Sequence, residues 1–375
     1  TCFINCFNGD YPLYCGQPFT GESFLMSALI VTNLSCFYQH NQVLKSLDLA
    51  LDNNEIVCLL GESGCGKTTL LRAVAGLQIE LSGAIKINDK TVNDSDINIP
   101  PEERKVGLIF QDYALFPHLN VFDNVAFSLH KLSRKAQRQR VDEVLTLVQL
   151  KDYADRFPHQ LSGGQQQRIA IARALAYQPD LMLLDEPFSN LDQHVRFQLI
   201  DEIRKLLKAH SMSALFVTHS KEEGFAFADR IALMQSGRIV QIDSAQTLYS
   251  RPNSMYVADF MGLSNYLEVV VKDKYSYQSD LGILTCNAII ESALNAQLTL
   301  LLRPEQLAIE IDNRGQGLVQ QVNFLGSYQH ISVVYANKTY IVKESNNHGN
   351  CMQYKVGDKV SLAVLSHDFV VFDNQ

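Results

Sequence analysis

From Ala28 onward, short apolar runs alternate with amphipathic stretches. That is the pattern of parallel strands covered by helices, so an α/β core is expected. An apolar run over Glu55 to Leu60 closes on Gly61, and beyond Lys67 the apolar residues Leu70, Ala73, Val74 and Leu77 recur at helical spacing. Strand, glycine-rich turn and helix are expected in that order. Asp180 to Leu184 and Ala214 to Val217 are further buried runs, each ending in polar residues at the strand's carboxyl end, where open α/β sheets place their ligands. Between about Gln111 and Tyr177 the helical pattern dominates. Lys131 to Arg140 is basic and polar there and Val141 to Val148 amphipathic, which reads as a helical insert in the sheet domain. After about Gly262 the texture turns to β-branched residues, tyrosines and turn signals at Asn313-Arg314-Gly315, Asn346-Asn347 and Gly357-Asp358. A small all-β domain is expected over residues 263–375, after a sheet domain over 26–262.

The first 25 residues stand apart. Cys2, Cys6, Cys15, Pro12 and Pro18 fall there without strand or helix periodicity, and the first methionine is Met26. A leader or a disordered arm is expected, with the functional chain beginning near Met26. Composition supports two folded units, because 46% of 375 residues are hydrophobic and only 19% charged. The net charge of -8 lacks the electrostatic footprint of a duplex-binding protein, so no nucleic-acid partner is expected. The longest apolar stretches, such as Ile56 to Leu60 and Leu298 to Leu302, fall far short of the roughly 20 residues that span a bilayer. Eight cysteines without a CxxC pair or a ligand-spaced cluster fit a reducing compartment.

Three motifs carry chemistry. Gly61-Glu62-Ser63-Gly64-Cys65-Gly66-Lys67-Thr68 fits the phosphate loop, in which glycines let backbone N–H groups wrap phosphates, the lysine neutralises them and the threonine hydroxyl takes Mg²⁺. Leu183-Leu184-Asp185-Glu186-Pro187 ends a buried strand with paired carboxylates. In a phosphate-loop ATPase the first holds Mg²⁺ and the second orients the attacking water; standing alone, the pair would be a helix start or a solvated pair. Leu161-Ser162-Gly163-Gly164-Gln165 is a capping-box helix start, and its two glycines at a helix N-terminus also offer a second anion nest. Cys65, beside Lys67 and the following helix N-terminus, is expected to be the fastest-reacting thiol; the alternative is an inert side chain tucked under the loop.

On these residues the chain resembles the ATP-binding subunits of ATP-binding-cassette importers over about residues 28 to 375. The resemblance implies a phosphate-loop NTPase cassette with a helical subdomain, followed by an OB-like transport-associated domain. It implies that Tyr38 stacks on adenine, Gln111 is the Q-loop glutamine, Ser189-Asn190-Leu191-Asp192 the D-loop and His219 the switch histidine. Tyr38 as core filling and His219 as a structural histidine are the competing readings. Asn190 stands where the family usually has Ala, and Glu62 where Pro or Ala is usual. ATP would then contact Tyr38, Gly61 through Thr68 and Thr69, and also Ser162, Gly163, Gly164, Gln165 and Asp192. Mg²⁺ would sit on Thr68, Gln111 and Asp185, with Glu186, His219 and Gln111 serving catalysis. Phe116, Pro117 and His118 correspond to the groove for a coupling helix of a membrane subunit. Leu302-Arg303-Pro304-Glu305-Gln306 resembles an element of the transport-associated domain, or is a turn before a strand over Leu307 to Ile309.

The resemblance further implies partners. Two copies would face head to tail and bury two ATP molecules, working with two permease copies and a periplasmic substrate-binding protein at the cytoplasmic face of the inner membrane. Ile99 to Lys105 and Phe110 to His118 look most like ferric-ion importers, and sulfate, polyamine and sugar importers share most of the pattern. A soluble cassette acting on ribosomes or DNA is the competing class, and such proteins generally carry two cassettes or a long basic insertion.

Overall fold

A computed structural model describes residues 27–38, 41–78, 80–189, 191–346 and 354–373. The leader expected over residues 1–25, together with Met26, Asn190 and Asn347, lies outside the described residues.

The apolar runs form the centre of a six-stranded sheet in the order Arg238–Asp243, Arg230–Gln235, Ile56–Gly61, Ala214–Val217, Leu181–Asp185, Val106–Ile109. Five strands run parallel, and the edge strand Arg238–Asp243 returns antiparallel. Pleating sends successive side chains to opposite faces. Ile56, Cys58 and Leu60 therefore join one apolar cluster with the helices of residues 121–207, while Val57 and Leu59 join another. Phe216 and Leu215, or Leu184 and Leu183, divide in the same way. With both faces covered, such a strand shows no polar alternation, which is why these runs stand out in the sequence.

The second cluster is closed by helix Lys67–Ala75 and by a four-stranded antiparallel sheet, ordered Asn41–Asp52, Ser27–Tyr38, Leu81–Ile87, Lys90–Asn93. This departs from the expectation of parallel strands from Ala28 on. The cause is local: bulges interrupt the first pair, with Asn33 and Ser46 both in the left-handed region at φ 49°. Their N–H groups are taken by Asp48 Oδ1 at 2.8 Å and Ser35 Oγ at 3.0 Å. Each bulge shifts the period-2 pattern by one residue. The helix after the phosphate loop also stops earlier than its apolar spacing suggests. Gly76 takes φ 82°, the N–H of Leu77 returns to Arg72 O at 2.9 Å, and Leu77 is left exposed.

Residues 111–177 hold helices Val121–Ala126, Arg134–Leu147 and Gly163–Ala176. The basic and amphipathic stretches are one helix, N-capped by Ser133 and buried through Val141, Val144 and Leu145. Its Arg140 donates to Leu175 O and Ala176 O, placing a cation on the carbonyl end of the neighbouring helix.

Helices Ala245–Ser250 and Met255–Met261 lead into residues 265–373, where two five-stranded antiparallel sheets enclose one apolar cluster that includes Leu267, Leu300, Ile331 and Val342. The Arg303-Pro304-Glu305 element forms one tight helical turn, Pro304–Gln306, before the strand Leu307–Ile311. Arg303 is 3% exposed. Its guanidinium donates to Ala258 O, Leu263 O, Ser264 Oγ and Tyr249 O at 2.9–3.2 Å and lies over the Tyr249 ring. Among the described residues no helix is long and apolar enough to cross a membrane.

Candidate active site

The phosphate loop leaves the strand Ile56–Gly61 and enters helix Lys67–Ala75 at the carboxyl edge of the parallel strands. Two of its glycines are sterically required. A Cβ on Gly61, at φ 151°, would lie 2.3 Å from Met234 O, and one on Gly66, at φ 109°, would lie 2.9 Å from Leu44 Cδ2. Glu62, Ser63 and Gly64 are exposed at the rim; Cys65, Gly66 and Lys67 lie beneath, and Thr68 and Thr69 are half-buried. Lys67 Nζ donates to Gly61 O at 2.8 Å and Glu62 O at 2.9 Å, so the ammonium is held under the turn by neutral carbonyls. An arriving phosphate oxygen would give it a charged partner instead.

The strand Leu181–Asp185 delivers the paired carboxylates beside this loop. Thr68 Oγ1 donates to Asp185 Oδ1 at 3.3 Å. Burial raises the Asp185 carboxyl above its ordinary range; the Thr68 hydrogen bond opposes that and Glu186 adds to it. Glu186 sits in the left-handed region at φ 47°, with its N–H on Val217 O at 2.9 Å. That turn aims its side chain toward the next strand's loop, where His219 Nδ1 lies 3.2 Å from Glu186 Oε2. Glu186 and His219 are thus brought together although 33 residues separate them in sequence, by the parallel pairing of Leu181–Asp185 with Ala214–Val217.

The remaining predicted residues fall at separate places. Gln111 is exposed two residues beyond the strand Val106–Ile109, at the carboxyl end of the sheet's far edge. Tyr38 is 42% exposed, with its hydroxyl on Gln78 Oε1 at 2.7 Å, so it is no part of the core. Ser162 and Gln165 form the capping box reciprocally: Ser162 Oγ accepts from Gln165 N–H at 3.3 Å, and Gln165 Oε1 from Ser162 N–H at 2.9 Å. Gly163 and Gly164 occupy the first helical positions of Gly163–Ala176. Asp192 precedes helix Gln193–Ala209 and its carbonyl accepts from Arg196 N–H at 3.0 Å.

Sequence reading passed over Arg173. It donates to Tyr113 O and Ala114 O, two consecutive residues at positive φ, and lies over the Phe116 ring, which packs 4.4 Å from that of Phe127. One arginine therefore pins the loop after Gln111, and nothing in the sequence flags that contact between residues 59 and 60 positions apart.

The expectation for Cys65 needs correcting. The residue is 7% exposed, with its Sγ packed beside Gly61 and 3.8 Å from Lys67 Nζ, so burial limits reagent access despite the neighbouring ammonium. Burial pushes the thiols of Cys36 and Cys58 up. Among the described thiols Cys286 is the most accessible. Peptide mapping after brief iodoacetamide treatment should find Cys286 modified before Cys65; the reverse order would restore the loop thiol as the reactive one.

Comparison with known proteins places this geometry. The family profile described as "ABC transporter" matches residues 44–189, and that described as "TOBE domain" matches 300–372. The Fe(3+) ions import ATP-binding protein of Haemophilus influenzae strain Rd is 41% identical over 312 residues, covering 81% of this chain and 87% of that protein. The spermidine/putrescine import ATP-binding protein of Thermotoga maritima is 39% identical over 333 residues, covering 85% and 89%. That of Escherichia coli K12 is 41% identical over 297 residues, covering 76% and 77%. A dimeric ATP-binding cassette solved in a post-hydrolysis state with ADP and Pi superposes with TM-score 0.50 at 29% identity, over 58% of this chain and 98% of that one. A phosphate-loop cassette with a helical subdomain and a β-rich tail, matched along most of its length by import ATPases, belongs to the ATP-binding subunits of ATP-binding-cassette importers.

Proposed function

We propose that this chain hydrolyses ATP through the Lys67, Thr68–Asp185 and Glu186–His219 constellation and that the importer it powers carries ferric ion. The observation that carries the hydrolytic part is the meeting of Glu186 with His219 beside the Thr68–Asp185 pair, at the carboxyl ends of adjacent strands. Lys67 would exchange its loop carbonyls for phosphate oxygens, and the loop N–H groups would cradle them. Glu186 would orient the attacking water, with His219 holding its carboxylate and Gln111 reaching in from the sheet's edge. Thr68, Asp185 and the Gln111 amide are oxygen donors suited to Mg²⁺, and a carboxyl raised by burial beside a second carboxylate fits a site completed by a cation. Mg²⁺ bound there would supply neutralisation of the terminal phosphate charge.

The working unit in this reading is a homodimer. Each ATP lies between the phosphate loop of one copy and the Ser162-Gly163-Gly164 helix start of the other, next to Tyr38 and Asp192. The dimeric relative with ADP and Pi supports the pairing of two copies. Loss of the γ-phosphate opens the pair and moves two permease copies, fed by a periplasmic binding protein, at the cytoplasmic face of the inner membrane. The exposed ring of Phe127, packed against Phe116, suits a permease helix.

Ferric cargo is supported by the Haemophilus relatives; polyamine cargo is the second reading, favoured by the Thermotoga and Escherichia relatives. Uptake of radioiron and of labelled spermidine in the native host, with the wild-type allele and with Lys67→Ala, separates them. Loss of iron uptake alone is expected. Loss of spermidine uptake alone would overturn the ferric assignment and leave the importer ATPase intact.

A further inference from the structure

Behind the Glu186–His219 pair lies a buried carboxylate that the hydrolytic chemistry does not use. Glu223, in the first turn of helix Lys221–Phe227, is 3% exposed, and both of its oxygens are engaged. Oε2 accepts from the Thr218 hydroxyl at 2.5 Å, and Oε1 faces Arg196 Nη1 at 3.4 Å. Arg196 in turn donates from Nη2 to the Leu191 carbonyl at 2.8 Å. A carboxylate this deep is held only by such partners, so each bond is expensive to break.

The far end of the network brackets His219. Thr218 Oγ1, besides donating to Glu223, accepts from Ser220 N–H at 3.1 Å, and Ser220 Oγ accepts from Glu223 N–H at 3.2 Å. The residues on either side of His219 are therefore fixed to one carboxylate and its helix, while the His219 side chain is 67% exposed and reaches Glu186. The near end belongs to the segment that follows Glu186. Ser189 donates from N and Oγ to the Glu186 carbonyl at 3.3 and 3.0 Å, and Leu191 takes Arg196. Bonds from Glu186 thus run forward to Ser189, and bonds from Leu191 run through Arg196, Glu223 and Thr218 to the flanks of His219, whose ring returns to Glu186.

We propose that Arg196, Glu223 and Thr218 are positioning residues for hydrolysis, which fix the backbone around His219 and make that fixation depend on where the Leu191 carbonyl lies. The inference rests on Glu186 and His219 being the hydrolytic pair. Displacing the Ser189–Asp192 segment withdraws the Leu191 carbonyl from Arg196, loosens the partner of Glu223 and frees the loop carrying His219. The phosphate loop shares none of these bonds, so its own hold on the nucleotide is left alone while turnover is lost.

The test uses the full chain and four variants. Thr218→Val keeps the buried shape without the hydroxyl, Thr218→Ser restores it, and Arg196→Ala breaks the other end; Thr218→Val/Arg196→Ala combines the two. Measured are kcat, KM, binding of a fluorescent ATP analogue and the melting temperature. Thr218→Val and Arg196→Ala should each lower kcat about 10- to 100-fold, the scale expected for a small misplacement of a reacting group, with analogue affinity unchanged within about twofold. Thr218→Ser should recover most of the rate, and the double variant should be no slower than the slower single. Losses that multiply, a Thr218→Ser as slow as Thr218→Val, or rates that merely follow melting temperature would overturn the proposal. Glu186→Gln run alongside distinguishes the two failures. Turnover retained there removes the hydrolytic pair itself. Turnover lost there but kept in Thr218→Val and Arg196→Ala removes only the positioning residues.

Discussion

Replacing Glu186 with Gln should leave ATP bound and stop its hydrolysis. The amide keeps an oxygen for His219 Nδ1, now 3.2 Å from Oε2, and keeps the left-handed turn at φ 47° undisturbed. What it removes is the charge that aligns and polarises the attacking water, a contribution of about 10²- to 10⁴-fold in rate for a positioned acid or base. Phosphate release under saturating MgATP should fall by that range, while analogue binding stays at the wild-type level. If two copies close around ATP, the variant should also accumulate as an ATP-dependent dimer on size-exclusion chromatography. A rate within about tenfold of wild type would take Glu186 out of the hydrolytic role.

The largest stability loss should come from Phe216→Ala. Phe216, Phe188 and Phe227 are all fully buried, and their rings meet edge to face with centroids 5.1–5.8 Å apart. Truncation deletes the ring that touches both others and leaves a cavity between a strand and helix Lys221–Phe227, at a cost of about 3–5 kcal/mol. Calorimetry should show the cassette transition moved down in temperature, with Phe216→Leu intermediate. A loss under about 1 kcal/mol would mean that the neighbours collapse into the space. Because Phe188 is two residues from Glu186, the same truncation should slow hydrolysis in the protein that remains folded.

The parallel sheet was legible because its strands are covered on both faces. Val57 through Leu60 and Leu181 through Leu184 have no polar position to hide them, and Gly61 and Lys67 follow at a spacing that phosphate binding requires. The hairpin of residues 27–52 was not legible as such, since Asn33 and Ser46 break its alternation and the side chains that satisfy them, Asp48 and Ser35, lie 15 and 11 residues away. Within the site, Lys67 and Thr68 announce themselves through the loop they end. Glu223 and Arg196 do not, because a glutamate and an arginine on amphipathic helices look solvated until the fold lays one helix over the other. Cys65 differs for a related reason: the nearby Lys67 is visible in the sequence and does lie 3.8 Å from its Sγ, whereas the packing against the strand end at Gly61 that buries it is visible only in the fold.

The Arg303 guanidinium makes the junction between cassette and β-domain a weld and not a swivel. Swinging the two parts apart would strip the Tyr249 and Ala258 carbonyls from a side chain that is 3% exposed, and each buried carbonyl left bare would cost about 1–3 kcal/mol. Met255–Met261, which supplies one of those carbonyls at Ala258, also sets the Phe260 ring 5.1 Å from Lys221 Nζ. A load applied to the far sheets is therefore transmitted as by a short stiff lever, whose working end arrives two residues from His219.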